Sequence, residues 1–133
     1  MQFDKNYFPM PNEIFSLGLS AGEIAVYAYL MHCEDRKTYQ CHPSYNTIGK
    51  AVGMSKNTVK KNVGLLEKKR LITTEPTKVI TKKGEKRNGT LLYTLLPISH
   101  GVEYRYRHQM TEIVHIAQKQ QIQGLLSNRE KTG

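Results

Sequence analysis

The chain has 133 residues and a formal net charge of +9, with 20 Lys and Arg against 11 Asp and Glu, 38% hydrophobic residues and two cysteines. That length suits one domain, or one domain with an appendage, and the apolar content supports a small core. No apolar run nears the roughly 18 residues of a membrane span, and the N-terminus M-Q-F-D-K-N-Y-F-P-M lacks the basic, apolar and small-residue layout of a secretory signal, so a cytoplasmic protein without a membrane partner is expected.

Residues 7–19 (Y-F-P-M-P-N-E-I-F-S-L-G-L) read as an extended lead-in and one helical turn, with Pro11 at the first helical position. Phe8, Ile14, Phe15, Leu17 and Leu19 are expected to pack under the domain. S-A-G-E at 20–23 is a capping box: the Ser20 oxygen accepts a backbone N–H and Glu23 reaches back. The helix it opens runs to about Met31, with Ile24, Tyr27, Leu30 and Met31 at helical spacing as a core stripe. An aromatic ligand box of Tyr27 and Tyr29 is the weaker alternative. Residues 32–42 form a polar connection. Its four candidate zinc ligands, His32, Cys33, Cys41 and His42, lack the short C-x2-4-C or H-x3-5-H spacing of a zinc site, so two reduced thiols flanking a loop or short strand are expected, with no metal or cofactor.

The most informative stretch is 43–72. Ser44 caps a short helix carrying Ile48 and Val52 on one face, and small Gly49 and Ala51 allow close approach of a neighbour. Gly53 ends it in the left-handed conformation, and Met54 fills the corner. Ser55 caps a second helix whose buried stripe is Val59, Val63 and Leu66. On its opposite face lie Asn57, Lys61, Gly64 and Lys68, with Lys60 beside them, a cationic, amide-bearing surface suited to a DNA major groove. Ser55, Lys56, Asn57, Thr58, Lys60, Lys61, Gly64 and Lys68 are therefore the candidate reading residues. Ser44, Tyr45 and Asn46, at the start of the preceding helix, are further candidates for contact with DNA.

Leu71 and Ile72 begin a strand that continues to about Glu75, and Pro76 interrupts it. Val79, Ile80 and Thr81 resume extended character, and K-K-G-E-K-R-N-G makes a basic turn before the strand T-L-L-Y-T-L-L-P ending at Pro97. A hairpin of this kind after a helix–turn–helix is a wing, and Lys82, Lys83, Lys86 and Arg87 at its tip are placed to meet phosphate. Residues 44–89 hold twelve basic and three acidic residues, so this segment carries the entire net charge of +9. A neutral body with a basic segment is the footprint of a polyanion binder. A membrane surface would need a free apolar face beside the lysines, and here that face is committed to a core.

The order of elements, together with F-P-M-P-N-E-I-F, L-S-A-G-E-I-A-V-Y, C-H-P-S-Y-N-T-I-G-K-A-V-G-M-S-K-N-T-V-K-K, L-E-K-K-R-L-I and N-G-T-L-L-Y-T-L-L-P, resembles the small winged helix–turn–helix proteins of Gram-positive bacteria and their mobile elements. More distantly it is similar to the N-terminal domains of plasmid replication initiators and of primosome (replisome-organiser) proteins. The resemblance spans about residues 7–98 and implies an α+β, mainly α fold: a winged helix–turn–helix over residues 1–98 with a β-hairpin wing, followed by a C-terminal helical extension over 99–133. Two departures stand out. Arg70 occupies the place where such domains commonly end the recognition helix with glycine, so the exit to the wing is expected to differ in shape. Asn62 occupies a place that is commonly small and apolar, so the packing there is expected to include a hydrogen bond.

In the tail, residues 103–126 lack proline and read as one long helix, with disorder expected from Asn128. Tyr106, Met110, Ile113 and Ala117 form a seam, which either folds back on the domain or pairs with a second copy; pairing is the expectation. No catalytic constellation is apparent: G-x4-G-K-[ST], H-E-x-x-H and G-x-S-x-G are all missing. The reading is a non-enzymatic, homodimeric, sequence-specific binder of double-stranded DNA that regulates transcription. The alternative is an accessory protein of replication or of a mobile element that binds origin DNA and recruits a replication or conjugation protein. A protein-interaction module is disfavoured by the charge map.

Overall fold

The computed structural model describes residues 6–132, with side chains through Leu126. Four helices and a small antiparallel sheet make up the fold: α1 (Ala21–Cys33), β1 (Gln40–Cys41), α2 (Tyr45–Val52), α3 (Lys56–Lys68), β2 (Ile72–Glu75), β3 (Lys78–Ile80), β4 (Lys86–Asn88), β5 (Leu92–Leu95) and α4 (Ile98–Thr132). Among the described residues no helix is long and apolar enough to cross a membrane.

The lead-in reaches a 3₁₀ turn, Asn12–Ser16, with Pro11 as its cap rather than its first residue. Ile14 and Leu17 are buried, but Phe15 is 80% exposed, contrary to the expectation that it packs under the domain. A 3₁₀ turn puts i and i+3 on one side, so burying Ile14 and Leu17 turns Phe15 outward. The expected capping box is formed: Glu23 N–H donates to Ser20 Oγ at 3.2 Å, and Ser20 N–H donates to Glu23 Oε1 at 3.4 Å. Helix α1 supplies Val26, Tyr27 and Leu30 to the core, against Ile48 of α2, Val59, Val63 and Leu66 of α3, and Leu71, Ile72 and Tyr93 of the sheet.

Close approach between these helices depends on two glycines. A Cβ on Gly49 would collide with the carbonyl oxygen of Met54, while one on Gly22 would stand 2.8 Å from the Asn62 amide nitrogen. Asn62 is itself buried, and its amide donates to the Met54 sulfur at 3.5 Å, which is the hydrogen bond expected of this polar intruder. Ala51, in contrast, is exposed and takes no part in the packing.

Strand β5 is central in a three-stranded sheet, antiparallel to β1 through Cys41 and Tyr93 and to β2 through Thr74 and Tyr93. The rest of the hairpin is a separate ribbon of β3 and β4, so Lys86 and Arg87 stand in a strand and not in the turn. The ladder breaks at Pro76 because proline brings no N–H. Across the break, Gly89 N–H donates to the Thr77 carbonyl at 2.7 Å and Thr77 Oγ1 donates to the Thr90 carbonyl.

Helix α4 starts earlier than the sequence suggests, at Ile98, and its backbone stays helical to Thr132, past the point where disorder is expected. Among the described residues, its first turns make the contacts to the domain. Gly101 is buried, and a Cβ there would strike the Leu71 side chain; Arg105 lies 3.0 Å from the Cβ position of Gly18. From Tyr106 to Leu126 every residue is exposed.

Candidate nucleic-acid interface

Helices α2 and α3 begin in the same way. Thr47 N–H donates to Ser44 Oγ at 3.0 Å and Thr58 N–H donates to Ser55 Oγ at 3.3 Å, and in each pair the two hydroxyls lie 2.9 Å apart. Each S-x-x-T thus closes its own helix start. Between them Gly53 sits at φ 72°, ψ 39°, with its N–H on the Gly49 carbonyl. Glycine takes this left-handed conformation without steric cost, which makes the turn tight enough to set α3 across α2.

The turn fixes which side of α3 faces out. Val59, Val63 and Leu66 are at most 3% exposed, while Lys56, Asn57, Thr58, Lys60, Lys61, Gly64 and Lys68 are all exposed. Apart from the α3 backbone itself, none of the described residues comes within 4 Å of the Cβ position of Gly64, so the backbone there is open to a ligand's approach. The expected reading residues therefore share one uncovered cationic face, with Ser55 at its start.

The start of α2 is more divided. Asn46 is exposed and Ser44 half-buried, but Tyr45 packs against the core, and burial followed by the charge of Glu67 pushes its hydroxyl pKa up. Tyr45 and Ser44 line one side of a groove of about 570 Å³; Val79, Asn88 and Thr90 of the wing line the other. In the wing, Lys82, Lys83, Lys86 and Arg87 are all exposed. Directly paired residues share a face of a ribbon, so Arg87, opposite Val79, points to one side and Lys86, opposite Ile80, to the other. Ile80 is 70% exposed beside these cations and was not among the expected contacts. Its signal was the β-branched Val79–Ile80 pair in an otherwise polar arm.

One lysine of the basic segment is not available to a ligand. Lys69 Nζ lies 2.7 Å from Glu23 Oε2 and donates to the Gly18 carbonyl at 3.1 Å. Arg70 also departs from expectation. At φ 61° it adopts the left-handed conformation itself, with Arg70 N–H on the Glu67 carbonyl and Leu71 N–H on the Leu66 carbonyl. The exit from α3 thus has the shape a glycine would give it. Cys41 is buried, its thiol pushed up to about 12 mainly by burial, with Sγ 3.6 Å from the Leu30 carbonyl. Among the described residues no group of three or more His, Cys, Asp or Glu is placed to hold a metal ion.

The fold and this surface define a winged helix–turn–helix DNA-binding domain with a C-terminal helix. Residues 17–72 match a family described as a helix-turn-helix domain. No curated protein matches the sequence. Among solved structures, the chain is similar to a "possible transcriptional regulator" from Methanosarcina mazei, at 13% identity and a TM-score of 0.55, over 80% of this chain and 81% of that one. Looser likenesses are the zinc-responsive MarR family member ZitR of Lactococcus lactis (14% identity, TM-score 0.45, 92% of this chain and 74% of that one) and the S. aureus MepR–DNA complex (16%, 0.42, 90% and 85%). The first shows the shared fold; the other two add nothing to it.

Proposed function

We propose that this protein regulates transcription by binding a specific double-stranded DNA site as a homodimer. The observation that carries this reading is the division of α3 into a buried Val59–Val63–Leu66 face and a wholly exposed face of Asn57, Lys60, Lys61, Gly64 and Lys68. In the proposed complex, Asn57 and Lys61 read base edges, and Lys56 and Lys60 hold base edges or flanking phosphates. Ser44, Asn46 and the wing cations hold the backbone.

Dimerisation is supported by α4. Tyr106, Met110 and Ile113 are 62%, 40% and 57% exposed, Ala117 is exposed too, and none of the described residues covers them. A single module buries only about 600–1,000 Å² on DNA, and two-fold symmetry doubles that contact. Selection of bound sequences from a random DNA pool tests the reading. An inverted repeat supports a dimeric regulator. Recovery of iterated direct repeats would replace it with origin binding, and recovery of no consensus would remove sequence-specific recognition altogether.

A further inference from the structure

A cavity of about 380 Å³ lies between the end of α1, the lead-in and the segment joining β5 to α4. Its walls are Pro9 and Pro11, Tyr27 and Met31, and the run from Leu95 to Ile98, completed by Glu34 and Tyr39. The volume is that of a small-molecule site, and the lining has the mix such sites show, hydrocarbon with a few convergent polar groups.

Two of those polar groups are the Tyr27 hydroxyl and the Glu34 carboxyl. Tyr27 is 2% exposed, and its hydroxyl is pushed up to about 12 by burial and then by the neighbouring Glu34 charge. Burial also raises the Glu34 carboxyl, with Arg36 opposing, and among the described residues no cation stands within ion-pair distance of it. Tyr39 adds a third sign. Its backbone is held at φ 59°, a costly conformation for an aromatic residue, between Tyr39 N–H on the Asp35 carbonyl and Leu95 N–H on the Tyr39 carbonyl. Those bonds hold the Tyr39 backbone at the cavity's rim, with the side chain 56% exposed.

We infer that this cavity binds an organic cation with an apolar, aromatic-sized body. Glu34 takes the charge, the Tyr27 hydroxyl accepts a hydrogen bond from the ammonium, and the tyrosine faces add cation–π attraction. Pro9, Pro11, Met31 and Leu96 enclose the hydrocarbon. An anion would meet the Glu34 carboxylate, and a neutral ligand would bury that carboxylate without a partner. The site is also connected to the DNA-binding surface. Leu96 N–H donates to the Leu71 carbonyl at 3.0 Å, and Leu71 directly follows the exit of α3, while Pro97 and Ile98 launch α4. An occupant therefore bears on both the recognition helix and the tail. This coupling rests on the DNA-binding reading; the binding of the cation does not.

The test uses the full chain and three near-isosteric probes: 2-(1-naphthyl)ethylamine, 2-(1-naphthyl)ethanol and 1-naphthylacetate. Without DNA, titration followed by backbone amide NMR is expected to give saturable shifts at Tyr27, Glu34 and Leu96, with the amine binding about tenfold or more tighter than the other two. Glu34→Gln should remove that advantage and leave the alcohol unaffected, and Leu96→Trp, by filling the space, should abolish binding of all three. Absence of saturable shifts with the amine, equal affinities for the three probes, or an amine affinity untouched by Glu34→Gln would overturn the site. In a second arm, saturating amine is expected to change affinity for the selected DNA site several-fold. An unchanged DNA affinity with the amine demonstrably bound would overturn the coupling.

Discussion

Lys69, in the residue that caps α3, lies 2.7 Å from the Glu23 carboxylate in the first turn of α1. The pair joins the end of the recognition helix to the helix beneath it, and Glu23 serves it and the Ser20 cap together. Glu23 is 4% exposed, so removing the lysine leaves a buried carboxylate without its cation. Lys69→Met should cost about 3 kcal/mol in urea unfolding, the lower end of the buried-pair range because Lys69 keeps some solvent. The same change should leave the salt dependence of DNA binding as it was. A shallower slope would mean that Lys69 reaches phosphate after all.

For the outward face of α3, Asn57→Ala and Lys61→Ala should each flatten the ratio of specific to random DNA affinity by about 1–3 kcal/mol. Competition against random duplex reads this directly. A uniform fall in affinity with the ratio preserved would move those two residues to the backbone-contacting set.

The wing prediction follows from the ribbon's register. Lys82 and Lys83 stand in the turn just before Gly84, but Lys86 and Arg87 point to opposite sides, and Arg87 has Glu85 3.6 Å away. No more than three of the four can meet one phosphate track. Alanine at all four positions should make the log affinity against log salt slope shallower by up to about 3 units, alike for every sequence. Of the single changes, only one of Lys86→Ala and Arg87→Ala should move the slope, and an unmoved slope in the quadruple variant would keep the wing off DNA.

In the tail, Met110→Glu combined with Ile113→Glu would place four like charges in a symmetric seam. Monomers are expected in sedimentation, with the thermal unfolding of the domain unchanged, since neither residue touches it. A wild-type protein that sediments as a monomer at tens of micromolar (an arbitrary working range) would end the dimer model.

Arg70→Gly offers a test of backbone strain. A left-handed conformation costs a side-chain-bearing residue about 1–2 kcal/mol, of which glycine's greater unfolded-state freedom returns part. The variant should therefore be more stable by up to about 1 kcal/mol. A loss of stability would show that the arginine side chain contributes more than its backbone costs.

What could be read in advance divides along physical lines. Local chemistry was legible: the Ser20, Ser44 and Ser55 caps, the Gly53 turn and the Val59–Val63–Leu66 stripe each follow from a few neighbouring residues. The outward lysines of α3 followed from the stripe, because a helix with one face buried presents the other. What was missed depends on distant parts of the chain. Nothing near Lys69 signals that Glu23, 46 positions away, will claim its charge. Phe15 reads as core until the 3₁₀ turn buries Ile14 and Leu17 in its place. Arg70 takes the glycine shape at the junction of α3 and β2, where its own N–H and that of Leu71 close on carbonyls of α3. The division of the hairpin into two ladders depends on how Thr77 and Gly89 meet across the break at Pro76.

The continuity of α4 has a consequence for operator geometry. Only helix separates Gly101, seated on Leu71, from the seam at Tyr106 to Ala117. With the seam paired, the element behaves as a keyed shaft. One extra residue between Arg105 and Tyr106 would turn each DNA-binding domain about 100° around the shaft and displace it about 1.5 Å. That throws the two recognition helices out of phase on the duplex. Four extra residues would complete a little more than one turn, about 40° past the starting phase, and lengthen the shaft by about 6 Å. The one-residue variant should lose its operator, whereas the four-residue variant, nearly back in phase, should keep more of its affinity than the one-residue variant does.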